Sequence, residues 1–354
     1  MKRFKSIALA AFVVLAAVGY LIPAPSASAQ SSASLSIVPK KNYTVEAGKS
    51  INDTLTIRNL DVEKTLTLTL RVVDFTFNDD GGTPKLMLAE NAPQTTWSLK
   101  PFITIPQTVT IPPKSSKTLD MKVAFPATQG AGSYYSAILY SSGVPEGGNV
   151  GLSASGVTLV FTSVPGVVNE NLTLEKFGAY GVPKPGKPAQ YMFVTTSEPQ
   201  MIAYTLKNEG NVTESPVGTI KLRDMFGKEI EINNVNPNSS LALVGQTRTF
   251  TSCIKLQSQN VDFNGSRSES TACTSAGLWP GLYTASLDVF YGQNGNRTQE
   301  IIGNASFWYL PVWFIIAVLI ILAALAYVVW RIVRFIRAKL YGPQVRRPRA
   351  RRRR

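Results

Sequence analysis

Between residues 30 and 306 apolar and polar side chains alternate with a period of two. Leu55 and Ile57 alternate with Thr54, Thr56 and Arg58, and Leu66, Leu68 and Leu70 with Thr65, Thr67 and Thr69. Leu119, Met121, Val123 and Phe125 alternate with Asp120, Lys122 and Ala124, and Ile220 and Leu222 with Lys221 and Arg223. Successive side chains of a strand point to opposite faces, so this pattern predicts strands with one buried and one wet face. Turn-formers separate them: Asn78-Asp79-Asp80-Gly81-Gly82, Pro112-Pro113-Lys114 and Glu209-Gly210-Asn211. No segment before residue 307 keeps a helical period. Many short strands between such turns predict an all-β fold built of β-sandwiches.

The pattern repeats. Thr56-Ile57-Arg58-Asn59 recurs as Thr205-Leu206-Lys207-Asn208, and Pro113-Lys114-Ser115-Ser116 as Pro237-Asn238-Ser239-Ser240. Gly132-Ser133-Tyr134 recurs as Gly281-Leu282-Tyr283. Three matches in one order predict two tandem immunoglobulin-like sandwiches, residues 30–166 and 167–306, with the boundary near Val164-Pro165-Gly166. The Pro- and Gly-rich loop from Gly181 to Pro188 falls inside the second.

Two long apolar stretches flank this body. Residues 1–29 combine Lys2, Arg3 and Lys5 with an apolar run from Ile7 to Ile22, then Pro23 and Ala27-Ser28-Ala29, which predicts a signal peptide cleaved before Gln30. An uncleaved anchor is the alternative, and both readings export the chain from Gln30 onward. Residues 307–330 carry no charge and have Trp308, Tyr309 and Trp313 at one end and Tyr327 and Trp330 at the other, which predicts one transmembrane helix. Leu310-Pro311 is followed by Val312 and not by the Thr-Gly of a sortase signal, so the helix is expected to stay in the mature chain. Residues 331–354 form a basic tail, placed in the cytoplasm by the positive-inside rule. Its arginines serve topology and anionic-lipid contact, or dock a cytoplasmic partner.

Charge then changes the picture. The net charge of +14 suggests nucleic acid at first sight, but three basic residues before position 30 and eleven after 330 account for all of it. The body between is neutral and has no surplus for a phosphate-binding face, which argues against nucleic acid as a partner.

Chemistry is sparse. The chain has no histidine, which excludes Ser-His-Asp and Cys-His catalysis and His-containing metal sites. Its two cysteines, Cys253 and Cys273, lie in the exported part, where a disulfide is favoured over two buried thiols. They bracket Gln257–Thr271, read as an inserted surface loop without a counterpart in the first repeat. Asp79-Asp80 reads as a hairpin tip, with a calcium site as the sharper alternative. Carboxylate-only glycoside hydrolysis needs no histidine, but no paired constellation stands out. No catalytic residue, metal ligand or cofactor is assigned. Asn-x-Ser/Thr sequons occur at Asn42, Asn52, Asn171, Asn211, Asn238, Asn264, Asn296 and Asn304, which marks surface rather than function. Trp97 reads as core filler or as a sugar-stacking loop residue. Tyr134, Tyr140, Tyr283 and Tyr291 read as strand and tyrosine-corner residues.

The whole arrangement resembles the WxL-interacting cell-surface proteins of Gram-positive bacteria and their actinobacterial relatives. In the first half the likeness rests on Ile103-Thr104-Ile105 through Pro126 and on Gly132-Ser133-Tyr134-Tyr135-Ser136-Ala137-Ile138. In the second it rests on Asn208-Glu209-Gly210-Asn211-Val212, Asn236-Pro237-Asn238-Ser239 and Pro280-Gly281-Leu282-Tyr283, and it ends with Ser306-Phe307-Trp308-Tyr309-Leu310-Pro311 before the span. The resemblance implies a peptidoglycan-binding first sandwich, a host-binding second one and a membrane anchor. It supplies no ligand-contacting residue. The expectation is therefore a non-enzymatic, single-pass surface protein whose partner is wall peptidoglycan or another surface protein. An assembly factor docking a partner strand on a sheet edge is the alternative, and a carboxylate-dependent envelope hydrolase the remote one.

Overall fold

The computed structural model describes residues 35–77, 83–89, 94–142, 153–181, 189–233, 235–263, 266–292 and 297–342. The expected signal peptide, the Asn78–Gly82 turn, most of the 181–188 loop, Asn264, Asn296 and the tail beyond Gly342 lie outside the described residues.

The alternating stretches become strands. The first unit contains β1 (Leu35–Ile37), β2 (Lys40–Thr44), β3 (Ser50–Asn59), β4 (Leu66–Val73), β5 (Phe75–Phe77), β6 (Pro84–Leu86), β7 (Ile103–Thr104), β8 (Thr108–Ile111), β9 (Ser116–Ala124), β10 (Gly132–Ser142) and β11 (Ser153–Val164). One sheet has the order β1–β3–β9–β7 and the other β2–β11–β10–β4–β8. Leu55 and Ile57 of β3, Leu68 and Leu70 of β4, Met121 and Val123 of β9, and Ile138 and Tyr140 of β10 meet between them as a buried core.

The second unit contains β12 (Leu172–Tyr180), β13 (Val194–Thr195), β14 (Met201–Asn208), β15 (Val217–Asp224), β16 (Glu229–Asn233), β17 (Thr247–Cys253), β18 (Leu256–Phe263), β19 (Ser266–Cys273), β20 (Gly281–Tyr291) and β21 (Gln299–Tyr309). Its sheets, β12–β14–β17 and β13–β21–β20–β15–β16, repeat those of the first unit without a partner for β7. In both units a short strand pairs in parallel with the last long one, β2 with β11 and β13 with β21. The chain is thus all-β, with two immunoglobulin-like sandwiches of one topology followed, among the described residues, by one long α-helix.

Two of the three sequence repeats are structural equivalents. Asn59 and Asn208, both buried, end β3 and β14. The Asn59 amide nitrogen donates to the carbonyls of Lys64, Ile111 and Pro112, and that of Asn208 to those of Val212 and Ala242. Gly132 and Gly281 open β10 and β20 with φ of 146° and 154°. The hydroxyls of Tyr134 and Tyr283 each donate to the carbonyl four residues upstream, of Gly130 and Trp279, both at 2.9 Å. These are the tyrosine corners expected.

The third repeat is corrected. Arg58 faces Ser116 and Lys207 faces Thr247, so the turn before β9 corresponds to Leu243–Gln246, not to Pro237–Ser240. The amides of Asn59 and Asn208 accordingly donate to the carbonyls of Ser115 and Gln246. Pro237–Ser240 is a separate turn closed on Asn236. A short Pro/Ser motif encodes a turn and not its place in a topology. The insertion survives the realignment, because nothing in the first unit matches the segment between β17 and β20. That insertion is a two-stranded antiparallel hairpin, β18–β19, rather than an irregular loop. A Cys253–Cys273 disulfide ties its base to the end of β17.

The span is also shifted. Helix α1 runs Val312–Tyr341, whereas residues 307–309 belong to β21, and Phe307 is fully buried in the second core. Pro311 sets the break, since its ring fixes φ and it donates no amide to the ladder. From Val312 to Trp330 the helix carries no charge over about 28 Å at 1.5 Å per residue. Arg331, Arg334, Arg337 and Lys339 then continue on the same helix. Its described side chains are largely exposed, and it is long and apolar enough to cross a membrane.

Candidate binding surfaces

The first candidate is a groove of about 580 Å³ in the four-stranded sheet of the first unit. Alternation sends Leu55 and Met121 inward and leaves the intervening polar positions outside. The register then sets Asn52 beside Lys122, Thr54 beside Asp120, and Thr104 of β7 beside Lys122. Ile105 and Pro106 close one wall. Donors, acceptors and both charge signs therefore line a shallow surface together with the apolar Ile105, Pro106 and Met121. Beside it, the Asp53 carboxylate accepts from Lys41 Nζ and the Tyr43 hydroxyl. Those two bonds, Lys41 first, hold the Asp53 pKa down at about 2. Burial pushes the Tyr43 hydroxyl up, and Asp53 adds to the effect.

Trp97 is buried, and it fills a core that neither sandwich owns alone. Its ring stacks on Tyr135 at 4.3 Å, and Val73, Phe75, Ala137, Leu139, Phe161 and Leu243 complete the cluster. Leu243 comes from the second unit. Strand β10 is buried on both faces: Tyr134, Ile138 and Tyr140 point into the first sandwich, Tyr135, Ala137 and Leu139 into this junction. Polar contacts frame it. The Tyr135 hydroxyl donates to the Val244 carbonyl and accepts from Gln246 Nε2. Asn211 Nδ2 donates to the Ala131 carbonyl, and its carbonyl accepts from Ser133 N. The sequon at Asn211 is thus spent on the junction, while Asn42, Asn52, Asn171, Asn238 and Asn304 are exposed. The Arg248 guanidinium lies 4.4 Å from the Phe77 ring and 5.3 Å from the Phe250 ring, and donates to the Leu241 carbonyl. The signal for this junction was the adjacent pair Tyr134-Tyr135, which puts a large ring on each face of one strand.

The second candidate is a sheet edge. In the first unit β2 covers β11 from Leu159 to Ser163. In the second, β13 covers only Trp308 and Tyr309 of β21. Among the described residues, no strand pairs with the outer edge of β21 from Gln299 to Phe307.

Chemistry is thin at both places. Among the described residues no three His, Cys, Asp or Glu side chains come together as metal ligands. The carboxyl with the clearest perturbation is Glu214, buried at the junction end of the second unit, where burial and then the charge of Glu170 push it up to about 7.

No family model matches the chain, and no curated protein matches it. Solved structures do. A chaperone–tip adhesin complex of CFA/I fimbriae biogenesis is 9% identical, with TM-score 0.35, over 78% of this chain and 99% of that one. The Escherichia coli chaperone DraB is 14% identical, with TM-score 0.30, over 78% and 98%. The Salmonella enterica SafA pilin with its SafB chaperone is 9% identical, with TM-score 0.31, over 78% and 96%. Likenesses this distant carry no inference about what this chain does.

Proposed function

We propose that this is a non-enzymatic, membrane-anchored surface protein of the WxL-interacting type, holding its two sandwiches outside the cell to engage peptidoglycan or another surface protein. The observation that carries the reading is helix α1, an exposed apolar helix that leaves the second sandwich directly at Pro311 and becomes basic at Arg331. The groove around Asn52, Asp120 and Lys122 is the proposed contact for a polar polymer, whose sugars and peptides offer many hydrogen-bonding groups and few apolar ones. Full-length protein in detergent, mixed with purified cell wall at low salt, tests this. Retention is expected, and it should fall several-fold for Lys122→Glu combined with Asp120→Lys. No retention, or retention unchanged in the variant, counts against the wall-binding role of the groove.

The edge of β21 from Gln299 to Phe307, unpaired among the described residues, favours a second reading, in which an extended partner segment adds a strand there. A photo-crosslinker at Ile302, which is 66% exposed on that strand, should capture one protein partner in whole cells. Recovery of glycan alone would reject this reading and leave the first standing.

A further inference from the structure

The second sandwich has two ends, and the register identifies them. Leu172, Asn208 and Thr247 lie at the end that meets the first unit. Tyr180, Met201 and Cys253 lie at the other, as do Asp224, Gly281 and Tyr309. Tyr309 is followed by Leu310, Pro311 and helix α1, so this second end is where the helix departs.

Large apolar side chains collect at that end. Phe193, Met225, Phe226, Leu256 and Trp279 are 65%, 57%, 77%, 59% and 66% exposed. They come from separate segments: the approach to β13, the β15–β16 turn, the start of the disulfide-tied hairpin and the loop before β20. Single exposed apolar residues need no explanation, but a cluster from four segments at one end does. The loops that carry them are built to hold them out. The Asp224 carboxylate accepts from the amides of Phe226 and Lys228, and Gly227 takes φ of 91° to close that turn. Glu198 accepts from Ser275 Oγ and the Leu278 amide, and the Tyr283 hydroxyl holds the Trp279 carbonyl. Two carboxylates of this end are thereby engaged in the loops, while Lys228 and Lys255 stay exposed beside Phe226 and Leu256.

We infer that this end of the second sandwich docks on the bilayer that its own helix crosses, with Phe226 and Trp279 seated among the headgroups. The inference rests on the anchor reading of helix α1. A surface this close to the start of a span faces headgroups, where Trp and Phe are favoured and lysines meet anionic lipid. The sandwich then does not swing on Leu310-Pro311 but is held by the helix and by its tip.

Full-length protein in nanodiscs containing anionic lipid tests the contact. An environment-sensitive fluorophore is attached under non-reducing conditions to Phe226→Cys, to Trp279→Cys, to Leu322→Cys within the helix, and to Val167→Cys, 93% exposed at the far end. Labels at 226 and 279 are expected to be quenched by headgroup-level nitroxide lipid and several-fold less by iodide than the label at 167. If the label at 322 is quenched by lipid while 226 and 279 are as open to iodide as 167, the docking is refuted and the anchor stands. If the label at 322 is not reached by nitroxide carried near the ends of the lipid acyl chains, at the mid-bilayer depth that the anchor gives this residue, the anchor fails and the docking fails with it.

Discussion

Glu214 gives the second unit a stability that depends on pH. The side chain is 2% exposed, its Oε2 accepts from the Gly292 amide at 3.1 Å, and its Oε1 has no partner. Its pKa rises from an ordinary 4.5 to about 7, through burial first and the Glu170 carboxylate second. A folded-state value above the unfolded one means that the native protein holds the proton more tightly. The associated stability is fully present below pH 4.5 and is lost as the pH rises through about 7. At about 1.4 kcal/mol per tenfold change in proton affinity, the loss approaches about 3 kcal/mol by pH 8. Glu214→Gln keeps the shape and abolishes the titration. In urea denaturation of the full-length protein in detergent, the variant should match wild type at pH 4.5. At pH 8 it should be more stable by about 2–3 kcal/mol. A constant offset between the two curves across that range would refute the assignment of the pH dependence to this carboxyl.

Other perturbations test the remaining architecture. Replacing Cys253 and Cys273 together by Ser opens a 20-residue separation and should cost about 3 kcal/mol, read by thermal unfolding against the non-reduced wild type. Tyr134→Phe and Tyr283→Phe each remove one corner hydrogen bond and should cost about 1 kcal/mol, with the two effects adding, since they lie in different sandwiches. Trp97→Ala should cost about 3–5 kcal/mol and raise protease cleavage near Val167, because it empties the core shared by the two units.

Much of the fold was legible because a half-buried strand writes itself as strict alternation. Leu55/Ile57 and Leu119/Met121/Val123 sit inward as that pattern requires. The Asn59/Asn208 and Gly132/Gly281 repeats were legible because each has a structural job that only a few residue types perform. The pairing of Pro113–Ser116 with Pro237–Ser240 failed because turn chemistry recurs wherever a chain reverses. The start of the span was misplaced for a related reason: Phe307 and Trp308 are apolar whether they sit in a membrane or in a sheet, and only Pro311 marks the change. The groove at Asn52 and Lys122 was not legible, since outward polar positions on neighbouring strands look alike until register brings them together. Nor was the Arg248 site between Phe77 and Phe250, whose partners lie in different sandwiches.

The junction bears directly on how the chain transmits a load. Separating the two units would strip Trp97 of Gly245, Tyr135 of its bonds to Val244 and Gln246, and the Arg248 guanidinium of its contact with Phe77. Buried apolar area at about 25 cal/mol per Å² makes that opening costly, while the linker from Pro165 to Asn171 is itself stitched to Asn211 through the Asn169 amide and carbonyl. The connection at Leu310-Pro311 has no such core of its own. Under the proposed wall-binding role, a pull on the first unit's groove would be carried through the junction and then through the short passage into the helix, where the Leu310 amide donates to the Thr195 carbonyl. A tip seated on the bilayer would strengthen that passage where the fold is thinnest. Such seating would give the exposed aromatics at Phe226 and Trp279 a mechanical role.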